Sequence, residues 1–114
     1  MARRSPRSER MIAVIARRFR LLGEPFRLRL LQTLEQGELT VGELVEQLEG
    51  NQPNVSKHLQ MLHDAGFVSR RREGNSVYYN IADPMVMQLC DLVCRNAEQR
   101  AREDLHDFRH TRRT

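Results

Sequence analysis

A chain of 114 residues, 39% of them apolar and 30% charged, has room for one compact domain with a modest core and not for two. No apolar run approaches the roughly 20 residues of a membrane span, and the opening Met-Ala-Arg-Arg-Ser-Pro-Arg lacks the apolar segment of a secretory signal. A cytoplasmic protein with no membrane partner is therefore expected, and its net charge of +4 lies in blocks rather than evenly.

Arg3, Arg4, Arg7, Arg10, Arg17, Arg18 and Arg20 face only Glu9 in residues 1–20, whereas residues 24–50 set six glutamates against Arg27 and Arg29. Basicity returns at Arg70, Arg71 and Arg72 and again at Arg109, Arg112 and Arg113. Segmented positive charge suits a polyanionic partner.

Residues 1–7 read as a disordered basic arm. From Ser8, the apolar Met11, Ile15, Phe19 and Leu22 recur at helical spacing, and Gly23 closes this first helix. Pro25 opens a second, with Phe26, Leu30, Leu31 and Leu34 inward and Gly37 as its stop. Thr40-Val-Gly-Glu43 is a capping-box pattern that starts a third, short helix with Val41, Leu44, Val45 and Leu48 on its buried stripe. Gly50 ends it.

Asn51 then caps a fourth helix, Pro53 suits its first turn and Gly66 fits just past its end. At about 100° per residue, Val55, Leu59 and Leu62 share one face, with Lys57, Gln60 and Asp64 opposite and Asn54 and Ser56 on the shoulders. That polar edge has the chemistry to read base edges. Asn and Gln offer a donor and an acceptor to adenine, Ser pairs with several bases, and Lys suits guanine or phosphate. A short helix, a glycine turn and a second helix with a polar outer edge form a helix-turn-helix signature.

After Gly66 the period changes to two. Phe67–Arg72 and Val77–Ile81 read as strands around the turn Glu73-Gly-Asn-Ser76, with Val77, Tyr79 and Ile81 toward the core. Three consecutive arginines on one strand repel each other without a counter-anion, so the hairpin is expected to lie along phosphates. Asp83-Pro84 begins a long last helix whose apolar residues, from Met85 to Ala97, cover an arc of roughly 200°. One core-facing stripe uses about half of that, and a second copy of the chain would cover the surplus. The tail from Arg109 reads as frayed.

With these elements in order, the sequence resembles the ArsR/SmtB family of bacterial winged-helix repressors. The matches are Leu22-Gly-Glu-Pro-Phe-Arg-Leu-Arg-Leu-Leu31, Val41-Gly-Glu-Leu44, Gln52-Pro-Asn-Val-Ser-Lys-His-Leu59, Leu62-His-Asp-Ala-Gly66 and Arg71-Arg-Glu-Gly-Asn-Ser-Val-Tyr-Tyr79. The expected fold class is mainly α with a β-hairpin wing, a homodimeric winged helix-turn-helix of order α-α-α-α-β-β-α over residues 8–108, with a basic tail at 109–114. The resemblance implies a repressor that sits on a promoter palindrome of double-stranded DNA and leaves when an inducer binds. Gln52, Asn54, Ser56, Lys57, His58 and Gln60 would then face the major groove, and Arg70, Arg71, Arg72 and Asn75 the backbone or minor groove. Met11, Ile15 and Phe19 on the first helix, with Met85, Leu89 and Val93 on the last, would form the dimer contact. The alternative is a winged-helix module for dimerisation or protein docking that does not touch DNA. No nucleophile–base pair, phosphate loop or paired carboxylates point to an enzyme.

The familiar sensing sites of that family are missing. Its Cys-x-Cys motif would fall where Glu43-Leu-Val-Glu-Gln-Leu48 stands, and its zinc site, beginning Asp-x-His, meets Asp83-Pro-Met85 here, with Asn96 and Gln99 further along. Two-cysteine persulfide sensors of the family split their thiols between helices; here Cys90 and Cys94 lie one turn apart on the same helix. They could chelate one soft metal or metalloid ion, or be oxidised, or be plain packing residues. His106 and His110 have a zinc-compatible spacing in the polar tail and support no confident metal site.

Overall fold

The computed structural model describes residues 6–112, without side chains for 108–112. Residues 1–5 of the expected arm, residues 113–114, and the side chains of Arg109, His110 and Arg112 thus lie outside the described residues. The elements are α1 (Glu9–Leu22), α2 (Pro25–Leu34), β1 (Leu39–Thr40), α3 (Val41–Leu48), α4 (Gln52–Asp64), β2 (Val68–Glu73), β3 (Ser76–Ile81) and α5 (Pro84–Arg112). They fall into two compact units, the first ending at Ala82 and the second beginning at Asp83.

Each helix of the first unit starts on a side-chain cap that satisfies an otherwise orphaned N–H. The Ser8 hydroxyl accepts from the Met11 N–H at 3.1 Å, and Asn51 Oδ1 accepts from the Asn54 N–H at 2.9 Å. Thr40 and Glu43 form the reciprocal capping box at 3.1 and 3.0 Å. Glu24, just before Pro25, caps α2 by accepting from the Arg27 N–H at 3.0 Å.

The faces read from the periodicity close on one another. Leu30, Leu31 and Leu34 of α2, Leu44 of α3 and Val55, Leu59 and Leu62 of α4 are buried, together with Phe67, just before β2, and Val68 and Tyr79 of the sheet. Val41, Val45 and Leu48 are only half-buried, so α3 contributes one full core residue rather than a stripe.

Three features depart from the sequence reading. Leu39 and Thr40 form a short strand that pairs antiparallel with β3, Leu39 opposite Tyr79 and Thr40 opposite Tyr78. The order is therefore α-α-β-α-α-β-β-α, with a three-stranded sheet β1-β3-β2. Two residues are too few to show a period, and only a partner strand defines them. Between α3 and α4 it is Glu49, not Gly50, that takes the left-handed conformation, with φ +53°. Gly50 is needed for space: a Cβ there would come within 3.3 Å of Val55 Cγ2 and 3.4 Å of Phe26 Cζ. In the hairpin, Gly74 has φ +61° and Asn75 does not follow it, the pattern of a type II′ turn.

The exit from α4 fixes where the wing begins. Gly66, at φ +80°, donates to the His63 carbonyl at 3.0 Å, and Phe67 donates to the Leu62 carbonyl at 3.0 Å. This is a Schellman motif, and its hydrophobic contact is supplied by Leu62 and Phe67, both fully buried.

The second unit is α5 alone. Asp83 Oδ1 accepts from the Met85 N–H at 3.0 Å and Pro84 occupies the first turn. The backbone stays helical through Arg112, past the Arg109 where fraying was expected.

Candidate nucleic-acid interface

Helices α3 and α4 form the helix-turn-helix, joined by the three residues Glu49, Gly50 and Asn51. The inner face of α4 is locked into the core, so its other faces are held in fixed directions. Gln52, Asn54, Lys57 and Gln60 are exposed along the outer edge and Ser56 is half-buried on the flank toward the wing.

Strand pairing sorts the three wing arginines. Arg70 lies opposite Tyr79 and Arg72 opposite Val77, while Arg71 lies opposite Tyr78. Because side chains alternate, Arg70 and Arg72 share the sheet face of Val68 and Tyr79, and Arg71 points to the other. With Ser56, Val41 and Val77, Arg70 and Arg72 border a cleft of about 500 Å³ between the wing and the helix-turn-helix, and Arg71 reaches its rim. Arg70 donates to Gln60 Oε1 at 2.9 Å, and Gln60 Nε2 donates to Asp64 at 2.7 Å. Both ends of the Gln60 amide are thereby committed within the molecule, and it acts as a spacer that holds Arg70 against α4. The amides of Gln52 and Asn54 stay on the exposed edge.

Arg71 has the counter-anions that the sequence reading sought in phosphate. Its Nε and one terminal nitrogen grip the Glu38 carboxylate at 2.9 and 2.6 Å, and the other terminal nitrogen meets Glu73 at 2.7 Å. Its guanidinium also stacks 4.6 Å above the Tyr78 ring. Hydrogen bonding from Arg71 holds the Glu38 carboxyl below its usual range. Arg71 thus ties the wing to the residue just before β1, the strand that sequence reading missed, while the Arg72 side chain makes no hydrogen bond or ion pair among the described residues. Asn75 is exposed at the wing tip.

His58 is not on the outer edge where it was expected. Its Nδ1 lies 3.1 Å from the NH1 of Arg27, and its ring packs against Phe26 at 5.2 Å. Arg27 is 92% buried, an internal cation that its acidic sequence neighbourhood conceals. It also donates from Nε to the Leu21 carbonyl and from NH1 to the Met61 sulfur, which joins α1, α2 and α4 at one point. Burial pushes the His58 imidazole down, the charges of Arg27 and Lys57 add to this, and Glu24 opposes it. The neutral ring accepts from Arg27 at Nδ1.

On α5, Cys90 is half-buried and Cys94 exposed, and neither is in a disulfide. Cys94 Sγ donates to Glu98 Oε1 at 3.6 Å, and that bond with the carboxylate charge pushes the Cys94 thiol up. Two thiols offer two soft ligands, and among the described residues no group of three or more potential metal ligands stands together. The expected dimer positions are accessible: Met11 and Phe19 on α1 and Met85 and Val93 on α5 are 41–58% exposed, with Ile15 and Leu89 half-buried. No helix among the described residues is long and apolar enough to cross a membrane.

The profile of the family described as "Bacterial regulatory protein, arsR family" matches residues 24–70, from the α2 cap to the second residue of the wing arginine face. Over 90 residues the chain is 46% identical to the "probable mercury resistance operon repressor" of Streptomyces lividans, covering 78% of this chain and 72% of that one. Among solved structures, Mycobacterium tuberculosis Rv0081 superposes with a TM-score of 0.74 at 35% identity, over 85% of this chain and 97% of that one. The homodimeric winged helix-turn-helix DNA-binding domain of Mycobacterium bovis Mb0332 gives 0.74 at 35%, over 87% and 92%. The chain belongs to the arsR family of bacterial regulatory proteins: it is a DNA-binding winged helix-turn-helix regulator of transcription and not an enzyme.

Proposed function

We propose that this chain is a cytoplasmic, homodimeric repressor that binds a palindromic promoter site and is released by an effector. The observation that carries the reading is an exposed polar edge of Gln52, Asn54 and Lys57 on α4, with Arg70 and Arg72 on a wing face that shares a cleft with the same helix. Side-chain amides supply base recognition and arginines supply phosphate charge. Dimerisation is supported by the exposed large apolar residues of α1, Met11, Ile12 and Phe19, and, separately, of α5, Met85, Leu92 and Val93. For the effector, Cys90 and Cys94 would hold a soft ion or metalloid as two of its thiolate ligands. A thiophilic ion can displace the Cys94 proton, whereas the raised thiol disfavours direct oxidation.

The test is binding to duplex from the chain's own upstream region across a salt series. The expected log–log plot is linear, at about −0.9 per phosphate contacted. Asn54→Ala should relax sequence preference by about 1–3 kcal/mol. Leu89→Glu would bury an unpaired charge in the dimer contact and should sediment as monomer and lose the duplex. Arsenite should release wild type and not Cys90→Ser/Cys94→Ser. A dimeric Leu89→Glu that binds like wild type, or no preference over scrambled duplex, overturns the reading; equal arsenite response removes the thiols from it.

A further inference from the structure

Beside the C-terminal end of α4, residues of α1, the start of α2 and the last turn of α4 border an open cavity of about 580 Å³. That is the size of a small-molecule site. Its apolar wall is Val14, Leu21 and Met61, and its charge is one-sided. Arg17, Arg18, Arg20 and Arg27 line it, with Asp64 as the single acid, and the Asp64 carboxylate already accepts from Gln60 at 2.7 Å.

The four arginines are not equivalent. Arg18 is used internally: it donates to the Ala65 carbonyl at 3.3 Å and stacks 4.6 Å over the Phe67 ring. Arg17 and Arg20 make no side-chain hydrogen bond or ion pair among the described residues, and the same holds for the NH2 of Arg27, whose Nε and NH1 are engaged. Arg17, Arg20 and the NH2 of Arg27 thus border one apolar-walled space in which the single carboxylate of Asp64 leaves a clear excess of positive charge. Like charges held side by side along an apolar wall favour an anion placed between them.

We propose that this cavity binds a small organic anion, a carboxylate or sulfonate carried on an apolar body. The anion pairs with Arg17, Arg20 and the free end of Arg27 while its body covers Val14, Leu21 and Met61. Arg27 is also the group that holds His58 and Met61 of α4. An anion that draws the Arg27 guanidinium toward the cavity weakens that hold and changes how α4 is seated. Binding is then coupled to DNA affinity, and the coupling is reciprocal. Only this last consequence rests on the DNA-binding role; the site itself does not.

The probe is anilinonaphthalene sulfonate, which combines a sulfonate with an aromatic body, and the chain has no tryptophan to interfere with its emission. The full-length chain should bind it saturably, one probe per chain, and octanoate should displace it while inorganic phosphate at equal ionic strength does not. Arg17→Ala/Arg20→Ala should weaken the probe about tenfold or more, as expected for lost charge-assisted hydrogen bonds. Arg17→Lys/Arg20→Lys should restore most of the loss, and Val14→Trp should exclude the probe by filling the space. Ile12→Ser, on another face of α1, should leave the affinity unchanged. Octanoate should weaken duplex binding by the factor by which duplex weakens octanoate.

A probe affinity indifferent to the arginine pair, lost in Ile12→Ser, or unaffected by octanoate overturns the site. So does an arginine-pair variant whose only defect is a shallower salt dependence of DNA binding, since Arg17 and Arg20 would then serve phosphates. Failure of wild type to bind any duplex, with probe binding intact, would count against the DNA role and for the cavity.

Discussion

The chain has two arginine clusters, Arg70–Arg72 on a strand and Arg17, Arg18 and Arg20 on a helix, and each divides the same way. In both, the middle residue is tied into the molecule: Arg71 to Glu38, Glu73 and the face of Tyr78, and Arg18 to the Ala65 carbonyl and the face of Phe67. In both, the flanking residues share another face, where Arg70 keeps one side-chain hydrogen bond, to Gln60, and Arg72, Arg17 and Arg20 keep none among the described residues. A period of two puts Arg70 and Arg72 on one face of β2, and a spacing of three puts Arg17 and Arg20 on one side of α1. The clusters differ in what the flanking pair faces. The strand pair borders an open cleft beside the helix-turn-helix, and the helix pair borders a recess with apolar walls. A run of charge in a sequence therefore does not say how much charge is available; the local period decides it.

The sharpest way to break the comparison is to remove the flanking and middle wing arginines separately. Arg70→Ala/Arg72→Ala should flatten the salt dependence of DNA binding by about 1.8 in log–log slope if each neutralises one phosphate. Arg71→Ala should leave that slope nearly unchanged and lower Tm instead. Equal slopes in the two variants would mean that strand alternation does not divide the labour.

The next effect is smaller and has the opposite sign. Glu38→Gln releases Arg71 from its bidentate partner, leaving Glu73 alone to hold it. The freed charge should steepen the salt dependence by at most about 0.9. Tm should fall toward that of Arg71→Ala. No change in either quantity would show that the Glu38–Arg71 pair holds nothing in place.

On α1 the smallest effect is expected. Arg18→Ala removes a cation–π contact and a hydrogen bond to the end of α4, about 1 kcal/mol in urea unfolding. Arg17→Ala touches neither and should unfold as wild type does. If the two variants unfold alike, the middle arginine of this cluster is not a brace.

Much of this architecture was legible in the residues. Asn51, the Thr40–Glu43 box and Gly66 announce helix ends through local hydrogen bonds, and local chemistry survives folding. The buried stripes of α2 and α4 were legible for the same reason, since a face with period 3.6 has one place to go. What escaped depends on residues far apart in the chain. The strand at Leu39–Thr40 exists because Tyr78 and Tyr79 stand beside it, the anchor of Arg71 is 33 residues away at Glu38, and His58 finds Arg27 across 31. Arg27 is the hardest of these to foresee. A buried arginine among exposed ones carries no local mark, and only its pairing with a helix carbonyl and an imidazole makes the burial tolerable.

The turn at Gly66 also sets which changes of length the chain can absorb. Leu62 closes the last turn of α4, Gly66 reverses the chain, Phe67 drops into the core and Val68 opens the strand, so no residue in that passage is spare. One residue inserted between Gly66 and Val68 would invert the parity of β2. Arg71 would change faces and lose Glu38, while Arg70 and Arg72 would turn to the back of the sheet. The far end of the hairpin is different: the space around Gly74 is open, with nothing within 4 Å of where a Cβ would stand, although its φ of +61° reserves that one position for glycine. Residues added there in pairs lengthen the wing and keep every arginine on its face. A change of wing length is thus expected to be absorbed at the tip, and an odd insertion or deletion on the hinge side to dismantle the DNA surface.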